Sequence, residues 1–401
     1  MSSPLRLFVI AGEPSGDLLG AALMAGLKTV APDVLIDGVG GPEMEAQGLQ
    51  SRFPMEELSV MGLTEVLPRL PSLLRRVSEC AWAIAEGGYD ALITIDSPDF
   101  CLRVAGKARA RRPDLCTIHY VAPSVWAWRA ERAEKMAPII DHVLALLPFE
   151  PPYMEAVGMT CDFVGHPVVT NPIASTEEVV AFRATFDIAP KAPLILALPG
   201  SRRSEVARLA PIFGEALRPI LAAHPSARVV VPTVAGVASA VLETTKGWPG
   251  NPVVLDPRAG PSATTLDDKN AAFAAADLAL AASGTVSLEL AASNTPMVIA
   301  YDMNWPSRRI IASKLKIDTV TLVNLVSETR AIPEFLGADC KPQAIAKALE
   351  ALISDPDSQA QQRAAMVTTM ERLGRGDEAP GLRAAKSILR VLERKKTQPP
   401  Q

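Results

Sequence analysis

The feature that most constrains the fold is a repeated order of segments: a short apolar run, a turn of small or polar residues, and then a helical pattern. Eight of the apolar runs are predicted to be buried strands: residues 5–11, 91–95, 116–121, 142–147, 194–198, 228–231, 278–281 and 297–300. Near-continuous apolar strands with helices between them are typical of parallel sheets that are covered on both faces. The sequence therefore predicts a three-layer α/β fold.

A break in this alternation predicts where the chain divides into domains. Pro167 and Pro172 disfavour helix over residues 165–172, and the alternation restarts near Leu194. We therefore expect a first domain at residues 1–170 and a second domain at 175–358. Amphipathic patterns at 359–373 and 381–395 predict two further helices, which with a polar tail form a C-terminal segment, 359–401.

Charge, cysteine usage and hydropathy narrow the class of protein. The 40 Lys and Arg residues and 44 Asp and Glu residues give a net charge of −4, without the basic excess of a dedicated nucleic-acid binder. Five scattered cysteines without C-x-x-C spacing argue against a disulfide framework or a zinc knuckle and favour a reducing cytoplasm. The sequence has neither signal-peptide features nor an apolar stretch of membrane-spanning length, so we expect a soluble or peripheral membrane protein.

Two turns in the second half have the composition of an anion site. Each follows a predicted strand and opens a helix: Gly200-Ser201-Arg202 and Ser283-Gly284-Thr285, with Glu289 one helical turn later. Backbone N–H groups at a helix start and an arginine suit a diphosphate, and a carboxylate can accept both hydroxyls of a ribose. The alternative is ordinary capping, with Arg202 and Arg203 solvated and paired with Glu205. We favour a nucleoside diphosphate held between the two turns.

Two turns in the first half place acidic residues after strands. Asp96 and Asp99 follow the strand at 91–95, where a substrate hydroxyl could reach a general base. We expect Asp99 to cap the next helix, which leaves Asp96 as the candidate base. The turn containing Glu13, Ser15, Gly16 and Asp17 follows the first strand, and it fits a ligand site and a simple helix cap equally well.

An apolar stripe with neighbouring arginines occupies one face of a predicted helix. The stripe consists of Val66, Leu67, Leu70, Leu73, Leu74 and Val77, and the arginines are Arg69, Arg75 and Arg76. Its composition favours packing on the domain over contact with anionic lipid. Pro68 and Pro71 predict an irregular start to this helix.

Taken together, these segments resemble lipid-A-disaccharide synthases, membrane-associated glycosyltransferases of bacterial outer-membrane lipid synthesis. The similar stretches are AGEPSGDLLGA (11–21), GVGGPEMEAQG (38–48), MEELSVMGLTEVL (55–67), IDSPDF (95–100), HYVAPSVWAWR (119–129), LPFE (147–150), FVGHP (163–167), LPGSRRSEV (198–206) and ASGTVSLE (282–289). They occur in this order over about 280 residues. The resemblance is specific, because most of these stretches have no ordinary structural reason to occur together.

The resemblance implies two Rossmann-like domains facing across a cleft, the GT-B type of glycosyltransferase fold. It implies transfer from UDP-2,3-diacylglucosamine to 2,3-diacylglucosamine 1-phosphate, which forms a β-1,6 bond and releases UDP without a metal or other cofactor. The catalytic residue would be Asp96. The donor side would comprise Gly200, Ser201, Arg202, Ser283, Gly284, Thr285, Glu289 and Asn324, and the acceptor side Glu13, Ser15, Gly16 and Asp17.

The resemblance also implies how the protein meets its surroundings. Val66, Leu67, Leu70, Leu73 and Leu74 would contact the membrane, which reverses the preference that composition alone gives. The protein would be cytoplasmic and peripheral on the anionic cytoplasmic face of the inner membrane, with no nucleic-acid partner and with a homodimer as one form. Two other functions stay open: a UDP-sugar epimerase or a glycosyltransferase with a soluble acceptor, and a two-domain ligand-binding protein.

Overall fold

The computed structural model describes residues 4–58, 63–258, 264–303 and 317–397, and for 63–67 it describes only the backbone. The chain forms two compact units. Unit 1 comprises Met1–Pro167 and Gly376–Gln401, and unit 2 comprises Val168–Arg375. In its described part, each unit contains a six-stranded sheet in which every pairing is parallel.

The sheet of unit 1 has the strand order β2-β1-β3-β4-β5-β6. Its strands are β1 (Arg6–Ala11), β2 (Leu35–Val39), β3 (Ala91–Ile95), β4 (Cys116–Tyr120), β5 (His142–Ala145) and β6 (Thr160–Phe163). The helices between them are α1 (Pro14–Val30), α2 (Pro42–Ala46), α3 (Leu63–Glu86), α4 (Pro98–Arg111), α5 (Glu131–Met136) and α6 (Pro151–Glu155).

The sheet of unit 2 has the strand order β12-β11-β10-β7-β8-β9. Its strands are β7 (Leu194–Leu198), β8 (Arg228–Pro232), β9 (Val253–Leu255), β10 (Leu278–Ala281), β11 (Met297–Tyr301) and β12 (Glu334–Leu336). The helices of the described part are α7 (Thr176–Thr185), α8 (Arg203–Ala223), α9 (Ala238–Thr245), α10 (Leu266–Ala275), α11 (Val286–Ala292), α12 (Leu322–Ser327), α13 (Pro342–Ser354) and α14 (Pro356–Arg372). The last helix, α15 (Pro380–Thr397), belongs to unit 1.

The α/β prediction is confirmed, and all eight predicted strands are present with small differences at their ends. The strands that the sequence analysis missed are β2, β6, β9 and β12, which are the outer strands of the two sheets. The central strands are buried along nearly their whole length, whereas the outer ones contain partly exposed or polar positions. A search for continuous apolar runs therefore finds only the strands that have neighbours on both sides.

We predicted a separate C-terminal segment, but its two helices belong to different units. Helix α14 stays with unit 2, where it packs against α11 and α12, while α15 returns to unit 1 and packs along α1. Helix α14 buries its apolar side in unit 2 and α15 buries its apolar side in unit 1, so the two helices belong to different units. The sequence does not show which unit each helix covers, so it does not predict that the helices at 359–373 and 381–395 belong to different units.

The prediction of an irregular start to α3 is wrong. The helix is continuous from Leu63 to Glu86, with Pro68 and Pro71 inside it. Residues 68–72, which include both prolines, are exposed, so no neighbouring element of the described structure packs against this part of the helix. The side chains of Val66 and Leu67 lie outside the described residues.

Helix α15 is held on unit 1 by close backbone packing and by a polar cluster. Added to Gly381, a Cβ atom would lie 2.3 Å from the carbonyl oxygen of Ala22 in α1, so the two helices approach too closely for a side chain. Ser387 Oγ donates to Asp162 Oδ2 (2.6 Å) and lies 2.9 Å from Nε2 of the buried His142. Helix α15 is therefore an integral part of unit 1.

We predict that Gly381→Ala lowers the free energy of unfolding by about 1–3 kcal/mol, because the added methyl group forces α15 away from α1. Urea unfolding followed by circular dichroism measures this change. Gly247→Ala is the control, since a Cβ there meets no atom within 4 Å and should leave stability nearly unchanged. Equal stability of the two variants would contradict the packing argument.

Candidate functional site

The turn after β7 has a backbone conformation that selects glycine. Gly200 has a φ of +115°, and a Cβ at this position would lie 2.6 Å from the Cβ atom of Glu205. The chain turns sharply there and enters α8 at Arg203. The N–H groups at the start of α8 are thereby brought to the carboxyl edge of the sheet, where open α/β sheets bind ligands.

Around this turn, donors converge on one acidic group. The backbone N–H groups of Ser201 and Arg202 donate to Glu205 Oε2 at 3.1 and 3.2 Å, and Arg202 Nη1 donates to Glu205 Oε1 at 3.1 Å. The capping alternative from the sequence analysis is thus present in the structure. Most of the Arg202 side chain is nevertheless exposed, so its remaining N–H groups are accessible to an anion.

The turn after β10 supplies the second wall of the site. Ser283, Gly284 and Thr285 lead into α11, and the Ser287 hydroxyl donates back to the carbonyl oxygen of Gly284 (2.9 Å). One turn further, Glu289 Oε2 accepts a hydrogen bond from Lys269 Nζ at 2.6 Å. The carboxylate of Glu289 is therefore held beside the start of α11, one helical turn after Thr285, as the spacing predicts.

These two turns enclose a pocket of about 400 Å³ within unit 2. Seven predicted donor-side residues line it: Gly200, Ser201, Arg202, Ser283, Gly284, Thr285 and Glu289. The sequence analysis missed Thr233, Lys269 and Phe273, which also line it. Thr233 directly follows β8 and could have been found by the strand-end rule, whereas Lys269 and Phe273 lie on α10 and carry no motif.

The eighth predicted donor-side residue, Asn324, is not among the described residues that line this pocket. Its side chain is buried in α12, where Nδ2 donates to Thr319 Oγ1 (3.2 Å) and to the carbonyl oxygen of Ile332 (2.9 Å). Its Oδ1 atom accepts from the backbone N–H of Ile332 (3.0 Å). The amide is thus occupied in joining the segment around Thr319 to the segment before β12, which is a structural role.

In unit 1, the turns after β3 and β4 have strained backbones. Asp96 and Ser97 have φ values of +50° and +42°, and Val121, which is β-branched, has a φ of +84°. The backbone N–H of Asp96 donates to the carbonyl oxygen of Tyr120 (3.0 Å), which joins the two strand ends. Residues in such conformations persist only where their surroundings enforce them, and they cluster at functional sites.

Asp96 has the properties of a proton acceptor. Its carboxyl is partly buried, and this burial raises the pKa of Asp96 above its usual value, with a partial offset from the backbone N–H of Ser97. A raised pKa makes a carboxylate a stronger base. Asp99 does not cap α4 as expected; it lies exposed in the first turn, and Ser97 holds the cap position.

The turn after β1 combines structural and exposed groups. Asp17 is buried, and its carboxylate accepts from the backbone N–H groups of Gly41 (2.8 Å), Glu43 (2.9 Å) and Met44 (3.1 Å) at the start of α2. Gly16 is buried against Ile95. Of the four predicted acceptor-side residues, Asp17 and Gly16 therefore organise the turn, while Ser15 is exposed and Glu13 is partly exposed.

The described ranges of the chain contain neither a metal-binding cluster nor a membrane-spanning helix. No group of three or more His, Cys, Asp or Glu side chains there is arranged to hold a metal ion. Likewise, none of the helices in these ranges has both the length and the apolar content needed to cross a bilayer.

Comparison with known proteins shows an extended similarity to one family. The family model described as lipid-A-disaccharide synthetase matches residues 7–384. Lipid-A-disaccharide synthase of Ruegeria pomeroyi is 61% identical over 385 residues, which cover 96% of this chain and 95% of the relative. The synthase of Rhodospirillum centenum is 47% identical over 395 residues, which cover 98% of this chain and 96% of the relative.

Solved structures show a similar fold at low sequence identity. UDP-GlcNAc 2-epimerase from Neisseria meningitidis bound to UDP-GlcNAc has a TM-score of 0.65 at 12% identity, covering 97% of this chain and 100% of that one. A glycosyltransferase from Rickettsia africae has a TM-score of 0.59 at 11% identity, covering 99% of this chain and 100% of that one. These similarities concern the fold alone.

Proposed function

The chain belongs to the lipid-A-disaccharide synthase family, and within this glycosyltransferase activity we propose that it transfers the sugar of UDP-2,3-diacylglucosamine to 2,3-diacylglucosamine 1-phosphate. The products are UDP and the β-1,6-linked disaccharide 1-phosphate, with inversion at the anomeric carbon. The observation that carries the proposal is the unit 2 pocket, where seven residues of two separate motifs line one cavity.

The pocket has the size and the groups that a nucleoside diphosphate requires. Its volume of about 400 Å³ is within the usual range for small-molecule sites. Glu205 occupies the N–H groups of Ser201 and Arg202, so the start of α8 contributes its positive dipole end and the exposed guanidinium of Arg202, which suits phosphate oxygens. The start of α11 contributes N–H donors. Glu289 lies where a carboxylate could accept ribose hydroxyls. This division of roles supports UDP as the bound half of the donor.

The same groups can stabilise the leaving diphosphate. As the bond between the anomeric carbon and the diphosphate oxygen breaks, negative charge grows on UDP. Donors that are already oriented towards this charge lower the barrier without reorganising. We propose that Arg202 and the two helix starts perform this task without a catalytic metal ion.

The proposed base is Asp96. It accepts the proton of the acceptor's 6-hydroxyl while that oxygen attacks the anomeric carbon from the side opposite the diphosphate. One C–O bond forms, one C–O bond breaks, and the proton moves to the carboxylate, so a single displacement inverts the configuration. The raised pKa of Asp96 supports this assignment, because a weakly solvated carboxylate holds the proton more strongly.

We further propose that α3 attaches the protein to the anionic cytoplasmic face of the inner membrane, where both substrates would be embedded. Leu70 and Leu74 lie one helical turn apart on α3 and are 39% and 40% exposed. Arg69 and Arg75 are exposed close to them in sequence. An apolar stripe with basic neighbours is typical of helices that lie in an anionic membrane surface. The homodimer stays a prediction of the family resemblance.

The experiment that tests the proposed reaction is UDP release from UDP-2,3-diacylglucosamine in detergent with excess EDTA, with and without the lipid acceptor. We expect release that requires the acceptor and continues in EDTA, together with formation of the disaccharide. Release that is independent of the acceptor, or equal turnover with a lipid-free acceptor, would contradict the proposed substrates. Loss of activity in EDTA would contradict metal-independent stabilisation of UDP.

We predict that Asp96→Asn lowers kcat by about 10²–10⁴-fold, because the amide cannot accept the proton. The Kd for UDP should not change, since the substitution lies outside the unit 2 pocket. Steady-state turnover assays measure kcat, and calorimetry measures the Kd for UDP. Asp99→Asn is the matched control on the same turn and should retain activity; the assignment is wrong if Asp99→Asn has the larger effect on kcat.

A further prediction concerns the membrane surface. The double variant Leu70→Ser with Leu74→Ser should bind vesicles containing anionic lipid at least about tenfold more weakly, because each buried leucine contributes about 1.5–3 kcal/mol. Vesicle sedimentation measures the change. Val180→Ser with Leu242→Ser removes exposed apolar groups from unit 2 and should leave binding intact. Equal binding by both double variants would refute a lipid-binding role for α3.

A further inference from the structure

Lys269 is absent from every motif that the sequence analysis identified, yet it contacts the residue on which ribose recognition is proposed to depend. It lies on α10, and its Nζ atom donates to Glu289 Oε2 on α11 at 2.6 Å. On the basis of the donor pocket proposed above, we propose that Lys269 is a positioning residue. It orients the Glu289 carboxylate to accept the hydroxyls of the donor's ribose.

The lysine is itself held in place from two sides. Helix α10 begins with reciprocal hydrogen bonds between Thr265 and Asp268, which fix the turn immediately before Lys269. One helical turn later, the ring of Phe273 lies 5.4 Å from Lys269 Nζ and provides a second favourable contact for the ammonium. The cation therefore has a defined position before any ligand enters the pocket.

The ion pair leaves part of the carboxylate accessible. Among the described residues, Lys269 is the hydrogen-bond partner of the Glu289 side chain, and it contacts Oε2. Oε1 remains for a ligand, and Oε2 retains a second lone pair. A carboxylate fixed in this way loses less conformational freedom when the ribose binds, so more of the hydrogen-bond energy contributes to affinity.

The charges of the pocket lead to a second effect, which the experiment must separate from the first. The ionisable side chains that line it form two pairs, Arg202 with Glu205 and Lys269 with Glu289. Removing Lys269 leaves Glu289 uncompensated close to the diphosphate. That repulsion acts equally on every diphosphate ligand, whereas orientation of Glu289 acts through the ribose hydroxyls and is weaker for a ligand that lacks the 2′-hydroxyl.

Comparing two ligands isolates the orientation effect. Calorimetry should give the Kd values of UDP and 2′-deoxy-UDP for the wild type, Lys269→Met and Lys269→Arg. We expect the wild type to prefer UDP. We expect Lys269→Met to weaken UDP binding about two- to fivefold more than it weakens 2′-deoxy-UDP binding, the range of a partly exposed ion pair. Lys269→Arg, which keeps a donor for Glu289, should restore most of the preference.

Lys246→Met is the control, because Lys246 makes an exposed ion pair with Glu243 in the same unit but outside the pocket. It should change neither Kd. Equal weakening of both ligands by Lys269→Met would overturn the positioning role and leave only the charge effect. A wild type that binds UDP with no preference over 2′-deoxy-UDP would overturn recognition of the ribose 2′-hydroxyl by Glu289, and a wild type that binds neither would overturn the donor pocket itself.

Discussion

Parallel strand pairing is the constraint on which the rest of this structure depends. In each unit, all strands of the described sheet run in the same direction, so their carboxyl ends lie along one edge. Parallel strands need crossover connections, which are usually helices, and the turns that lead into these helices carry N–H groups without a partner in the sheet. Motifs far apart in sequence are thereby gathered in space. The turns at 199–202 and 282–285 become neighbours because β10 pairs directly with β7.

The same constraint explains why unusual backbone conformations occur in these turns. Gly200, Asp96 and Val121 all have positive φ values and all follow buried strands. A non-glycine residue in such a conformation costs about 1–3 kcal/mol, which the packing of the surrounding sheet must offset. In unit 1 this conformation joins the backbone of Asp96 to the end of β4, and in unit 2 the glycine lets Glu205 close against the turn. Stability of the sheets and geometry of the sites are therefore linked.

The sequence predicts the central strands and most of the motif residues that line the unit 2 pocket, because both depend on local patterns. A buried strand requires an apolar run, and a helix start that binds an anion requires small residues and hydroxyls at fixed spacing. The outer strands are missed because water on one side permits polar residues. Asn324 lies outside the described lining of the unit 2 pocket, and its amide has partners at Thr319 and Ile332 that no local pattern reveals. Lys269 is missed because its partner lies 20 residues away on another helix.

The central claim is that the two strand-end turns of unit 2 bind UDP together, and amide hydrogen exchange tests it most directly. Added UDP should slow exchange at residues 199–206 and at 282–290 in the same titration, while uridine alone should have a much smaller effect on 199–206. The turn at 96–100 in unit 1 should exchange at an unchanged rate. Protection of only one of the unit 2 turns, or protection confined to unit 1, would contradict the account.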